Sequence, residues 1–287
     1  MKRLIINADD FGLTSGVNRA IAEAHQSGLV TSATLMANGA QFSEAVALAR
    51  GMPQLGVGCH IDLIQFAPLS PPEKLKTLVR DGHFRPGFRR FATAALRRRL
   101  SSDEIAAEAS AQIARLQSAG IHVTHFDTHK HTHLFPGVLR PLLQAAKACG
   151  IRAVRNPFEP HPLVRLRSVA SAPKLLTRYV AVRTLRAMAA EFRRLVEAEG
   201  FATTDGTVGI VLTGFWNEKR LADLLRRLPD GTWELVTHPG YHEPALASLG
   251  SLVASREAEL RLLTSPETRR LLEQHEIELI SYRDLSS

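Results

Sequence analysis

Short β-rich segments alternate with amphipathic helical ones from one end of this chain to the other, and that alternation narrows the fold more than any single motif. Strand-like segments cover 3–8, 29–36, 55–61, 123–128, 151–155, 207–212, 233–237 and 276–281. Within 15–27, Val17, Ala20, Ile21 and Ala24 keep the i, i+3, i+4, i+7 spacing of a helix that stops at Gly28. Ser101-Ser102-Asp103-Glu104 fits a capping box opening a helix that closes at Gly120. Further helices are expected over 137–149, 218–228 and 252–263. Repeated β-then-α units predict parallel strands joined by right-handed crossovers. Seven or eight such units in 287 residues favour one α/β domain over 1–287, a closed or nearly closed (β/α) barrel of TIM-like, distorted form. A doubly wound open sheet competes, but no G-x-G-x-x-G follows the first strand.

Barrel enzymes carry their chemistry at the carboxyl ends of the strands. Here the first strand ends in Asp9-Asp10-Phe11-Gly12 and the third in Gly58-Cys59-His60-Ile61-Asp62. The fourth ends in Asp127-Thr128-His129-Lys130-His131-Thr132-His133, and the seventh in Thr237-His238-Pro239-Gly240-Tyr241. Each has a bland account alone: an Asx-turn for Asp9-Asp10, a hydrogen-bonded core histidine for His60 or His238, a solvated turn for the His-rich run. Four coincident strand ends bearing Asp or His argue against it.

An extended backbone would turn Asp127, His129, His131 and His133 to one side. Carboxylate and imidazole together suit a borderline divalent ion such as zinc. Cys59 and Cys149 form no C-x-x-C pair, which sets aside thiolate zinc and a disulfide framework. Asp10, His60 and one imidazole of the run would supply three ligands and leave a position open for water. Asp9 then remains as general base and His238 as proton donor, a kit for amide or ester hydrolysis. Arg155, Trp216, Asn217 and Tyr241 stand near other strand ends and are expected to contact substrate or to support the site.

The same residues carry a resemblance. Asn7-Ala8-Asp9-Asp10-Phe11-Gly12, Val30-Thr31-Ser32-Ala33-Thr34, Gly56-Val57-Gly58-Cys59-His60, the run from Thr124 to His133 and Thr237-His238-Pro239 resemble the YdjC/ChbG carbohydrate deacetylase family. The resemblance is close over the first 155 residues and the last 60. It implies a (β/α) barrel, Asp10, His60 and His129 as ligands of zinc or magnesium, Asp9 as base, and His238 as acid or substrate contact. It also implies removal of acetyl from an N-acetylated amino sugar. Asp127, His131 and His133 are then left to orient ligands or substrate. Where family members often carry a third histidine, this chain has Lys130, which alternation would point away from the cavity.

Two segments, about 65–100 and 157–200, exceed what a barrel connection needs. The first sets Arg80, Arg85, Arg89, Arg90, Arg97, Arg98 and Arg99 among Phe84, Phe88, Phe91 and Leu96. The second sets Arg165, Arg167, Lys174, Arg178, Arg183, Arg186, Arg193 and Arg194 among Leu163, Leu166, Leu175 and Tyr179. They account for much of a net charge of +8. With no zinc-finger spacing, RNP-like strand or lysine tract, the charge does not point to nucleic acid. Basic, apolar helices suit an anionic membrane surface, with a solvated face or a homodimer contact as the alternative.

Overall the sequence is most similar to the hopanoid-biosynthesis-associated branch (HpnK), which implies a glycolipid such as an N-acetylglucosaminyl hopanoid rather than a soluble chito-oligosaccharide. A start too soon acidic for a signal peptide, and no run long enough to span a bilayer, predict a cytoplasmic protein peripheral to the inner membrane. A metal-dependent phosphoesterase and a non-catalytic sugar-lipid binding protein remain as competitors.

Overall fold

The computed structural model describes residues 1–85, 87–159, 172–247, 249 and 252–285. Its strands are β1 (Lys2–Phe11), β2 (Ser32–Leu35), β3 (Gly56–Ile61), the hairpin β4 (Val79–Arg80) and β5 (His83–Phe84), β6 (Phe126–Thr128), β7 (Gly206–Val208), β8 (Gly231–Thr237) and β9 (Ile277–Leu279). The main sheet runs β6-β3-β2-β1-β8-β7 with β9 also on β1, every pairing parallel. Leu4, Ile5 and Ile6 are all buried, as expected of a parallel strand covered on both faces. Between β6 and β7 the bridges Phe126 to Val154 and Ala153 to Ala202 carry the pairing through 151–158. There the Thr207 N–H also donates to the Phe158 carbonyl at 3.0 Å. The result is a curled parallel sheet, consistent with a distorted barrel.

The helices are α1 (Ser15–Gln26), α2 (Phe42–Arg50), α3 (Phe88–Leu96), α4 (Ser102–Ser118), α5 (Pro136–Ala148), α6 (Pro173–Leu185), α7 (Ala189–Ala198), α8 (Glu218–Arg226), α9 (Pro244–Ala247), α10 (Val253–Thr264) and α11 (Pro266–Gln274). The Ser101 hydroxyl caps α4, accepting from the Glu104 N–H as the sequence predicts. Several expected strands fall short: 29–36 is strand only over Ser32–Leu35, 123–128 over Phe126–Thr128 and 276–281 over Ile277–Leu279. Residues 151–155 form only isolated bridges, and 207–212 stops at Val208 before a 3₁₀ turn, Ile210–Leu212. Gly209 turns the chain at φ +81°, where the Trp216 indole lies 2.4 Å from where a Cβ would stand.

Parallel strands in register put their carboxyl ends on one face: His60 pairs with Asp127, and Ala8 with Thr237. The first insertion is tied down from below. The Asp62 carboxylate accepts from the N–H groups of Ile64, Gln65 and Phe66, and buried Glu108 of α4 accepts from those of Leu69 and Ser70. Farther out, α3 and the turn after it expose Arg89, Arg90, Arg97, Arg98 and Arg99 around Leu96, itself 63% exposed. In the second insertion Leu163, Arg165, Leu166 and Arg167 lie outside the described residues. Helices α6 and α7 bury Leu175, Phe192, Leu195 and Val196, and together with the 3₁₀ turn between them, Arg186–Met188, expose Arg183, Arg186, Arg193 and Arg194. Among the described residues no helix is long and apolar enough to cross a membrane.

Candidate active site

The Asp-Asp-Phe-Gly segment turns at its second residue. Asp10 sits at φ +68° and Gly12 at φ +92°, and the Gly12 N–H donates to the Asn18 side chain at 2.7 Å. Asp tolerates the left-handed region better than most residues, and the turn sends Asp9 and Asp10 to different partners.

Asp10 joins His60 and His129. His60 Nε2 lies 3.2 Å from His129 Nδ1 and 3.6 Å from Asp10 Oδ1, and His129 Nδ1 is 3.4 Å from Asp10 Oδ1. Ligands about 2.0–2.1 Å from one tetrahedral ion stand roughly 3.3–3.4 Å apart, so the three donors already have the spacing of a zinc face. All three line one cavity of about 550 Å³, with Asp9, His131 and His238. The donor set fits a divalent ion by chemistry and by distance.

Each imidazole is held from behind, which fixes the nitrogen it presents. His60 Nδ1 meets Asp127 Oδ1 at 2.7 Å, and His129 Nε2 meets Gln65 Oε1 at 3.0 Å. Burial alone would lower His60, but the Asp127 carboxylate raises it to about 9. Gln65 is anchored in turn by its amide N–H on the Leu249 carbonyl at 3.1 Å. Gln65→Ala is expected to weaken divalent-ion binding by about 10- to 100-fold with the fold intact. Competition with a chromophoric chelator measures it; unchanged affinity would deny Gln65 this part.

Asp9 points elsewhere, into a buried network. Its Oδ1 accepts from Arg155 Nη2 at 2.6 Å and Asn7 Nδ2 at 2.9 Å, and its Oδ2 from Arg155 Nη1 at 2.9 Å. Burial would raise the Asp9 carboxyl, yet the Arg155 guanidinium holds it far below the usual carboxylate range. Arg155 also pairs with Asp127 and with Glu234, whose other oxygen accepts from the Tyr282 hydroxyl at 2.5 Å. Asp9, His60 and Asp127 also cluster closely enough for a metal, but the Arg155 cation already occupies the carboxylates there. Asp10 has its own cation, Arg256 Nη2 at 2.5 Å, which outweighs burial and keeps its carboxyl low.

His238 Nε2 faces Asp9 Oδ2 at 3.9 Å. Burial pushes His238 down to about 4 against the pull of Asp9 and Asp10, so at neutral pH its ring is uncharged. Burial likewise lowers His131 to about 3.

The alternation expected of 127–133 fails after Thr128. Lys130 and His131 take φ of +56° and +54°, and the chain coils into a 3₁₀ turn. Lys130 therefore lines the cavity instead of turning away, and its ammonium donates to Gln65 Oε1 at 2.8 Å. His133 stays out of the cavity: it is buried, between the Thr128 hydroxyl at 2.7 Å and the Arg155 carbonyl at 3.2 Å. Arg155 is fully buried behind Asp9.

Three other residues stand apart from this cavity. Trp216 and Asn217 line a separate groove, Asn217 capping α8 through the Arg220 N–H. Tyr241 is carried onto α1, its hydroxyl bonded to Glu23 and its ring 5.7 Å from the Arg19 guanidinium carbon. Residues the sequence did not single out complete the site: Gln65, Arg256, Glu234, Glu259 and Tyr282. Arg256 and Glu259 had a signal, since charges one turn apart share the buried face of α10 with Leu260 and Leu263.

A model of the YdjC-like protein family matches residues 3–274. The chain is 34% identical over 289 residues to a carbohydrate deacetylase of Geobacillus stearothermophilus, covering 98% of this chain and 96% of that one. It is 31% identical over 312 residues to a human carbohydrate deacetylase, covering 99% and 91%. In three dimensions it matches a crystal structure from Enterococcus faecalis V583 with a TM-score of 0.77 at 26% identity, over 99% of this chain and 98% of that one.

Proposed function

This chain belongs to the YdjC-like protein family, and from that premise we propose that it is a metal-dependent hydrolase removing acetyl from an N-acetylated amino sugar. What carries the proposal is the convergence on one cavity of a three-donor triangle, Asp10, His60 and His129, with Asp9 and His238 beside it. Two imidazoles and one carboxylate favour zinc over magnesium, which prefers an all-oxygen shell. When bound, a divalent ion polarises a carbonyl oxygen and lowers the pKa of water, which suits a base as weak as Asp9.

The chain's own residues supply the rest. Arg155 keeps Asp9 ionised and aimed, and Asp9 accepts a proton from the attacking water. His238 Nε2, 3.9 Å away, carries a proton to the departing nitrogen. Acetate and the free amine result.

The substrate we propose is lipid-linked, a glycolipid such as an N-acetylglucosaminyl hopanoid. Support comes from the cavity wall beyond the polar cluster, where Leu13, Phe88, Val182, Leu185, Ile210 and Leu252 offer a surface suited to an apolar tail rather than to a second sugar. Acetate release should favour an N-acetylglucosaminyl lipid over a soluble chito-oligosaccharide by about tenfold or more in kcat/KM. Equal or reversed preference would remove the lipid.

Phe88 belongs to α3, whose exposed arginines surround Leu96, so the cavity and an anionic bilayer would share this side of the molecule. Arg97→Ala/Arg98→Ala/Arg99→Ala is expected to abolish sedimentation with anionic liposomes. Unchanged sedimentation, or none by the parent protein, counts against membrane contact.

A further inference from the structure

His238 presents Nε2 to the cavity, but its other nitrogen, Nδ1, is buried without a hydrogen-bond partner. The nearest acidic group to that nitrogen comes from α10. Glu259 is 2% exposed, and its Oε2 accepts from the His238 backbone N–H at 2.7 Å and stands 4.0 Å from His238 Nδ1. The backbone bond pins the carboxylate to the residue whose ring it faces. A small ring rotation would close the remaining gap, and catalytic hydrogen bonds are often long until substrate is bound.

We infer that Glu259 is the positioning residue of His238: it takes the Nδ1 proton in a hydrogen bond, so that Nε2 is left unprotonated toward Asp9. This rests on His238 being the proton carrier of the proposed deacetylation. The step balances. Water gives its proton to Asp9, Asp9 passes it to His238 Nε2, and His238 passes it to the amine as the C–N bond breaks. The Nδ1 proton stays on the ring throughout, donated in a hydrogen bond to Glu259, whose ionised carboxylate stabilises the transient imidazolium. Burial raises the Glu259 carboxyl to about 7, and the His238 backbone N–H, then Arg256 on the same helix and the Gly214 backbone, oppose that rise. An oriented acid behind a histidine is a general device for fixing which nitrogen carries the proton.

Glu259→Gln tests this, because the amide keeps the shape and removes the negative charge. The same oxygen, Oε2, holds the His238 backbone N–H and faces Nδ1. The variant therefore loses the charged acceptor that favours a proton on Nδ1, and the ring returns to the Nε2–H tautomer that neutral imidazole ordinarily prefers. Long-range ¹H–¹⁵N imidazole spectra of the full-length protein, zinc-loaded, are expected to show His238 protonated on Nδ1 in the parent and on Nε2 in the variant. Nε2 protonation in the parent, or one tautomer in both, overturns the assignment, and neither result depends on activity.

In turnover, kcat for acetate release from the amino sugar should fall about 100-fold with KM within about twofold. The loss should shrink below about tenfold on 4-nitrophenyl acetate, whose phenolate leaves without a proton. An equal loss on both substrates contradicts a role through His238. A parent protein that releases no acetate defeats the proposed function instead, and the tautomer result still decides the pair.

Discussion

Asp9→Asn is expected to lower turnover by about 10²- to 10⁴-fold while the protein still binds one divalent ion per chain. The substitution keeps the shape of the side chain and removes the one feature a base needs. Asp10, His60 and His129 are untouched, and Arg155 retains Asp127 and Glu234 as counter-charges. His129→Ala should instead lose both the ion and turnover, since only two donors remain. Acetate release and elemental analysis of the same samples separate the two outcomes. Near-normal turnover in Asp9→Asn would move the base elsewhere.

Arg155→Met should be the most destabilising single change in the site, by about 3–5 kcal/mol near neutral pH. Arg155 is fully buried among three carboxylates, Asp9, Asp127 and Glu234, and its removal leaves them buried without that counter-charge. The pH dependence follows in sign. With Arg155 present, the Asp9 carboxyl is held low, so its contribution to stability stays in place well into acid. Without Arg155, burial dominates and raises Asp9, and Glu234, already raised by burial, climbs further. A folded state that binds more protons than the unfolded one gains stability as pH falls. The deficit of Arg155→Met in thermal unfolding should therefore shrink between about pH 7 and pH 5. A deficit independent of pH, or none, would mean that the carboxylates do not depend on Arg155.

Much of this was legible in the sequence because parallel strands and catalytic strand ends both leave local marks. The apolar run Leu4-Ile5-Ile6 leading into Asp9-Asp10 marks β1 and its active end together. His60 and Asp127 come from separate strand ends and prove to be register partners. Local reading failed where the backbone turns. Alternation predicts the direction of Lys130 only if the strand continues, and left-handed torsions at Lys130 and His131 end it. Tyr241 lies three residues beyond His238, yet Pro239-Gly240 directs the chain onto α1, where the Tyr241 N–H donates to the Gly16 carbonyl at 3.2 Å. Gln65, Arg256 and Tyr282 act through partners 64, 246 and 48 residues away, and no periodicity encodes such pairs.

The most direct test is zinc titration of metal-stripped protein while acetate release from an N-acetylglucosaminyl substrate is followed. Activity should be absent without metal, rise with added zinc and level off at one equivalent per chain. Full activity in stripped protein, or a plateau at two equivalents, would contradict a single ion held by Asp10, His60 and His129.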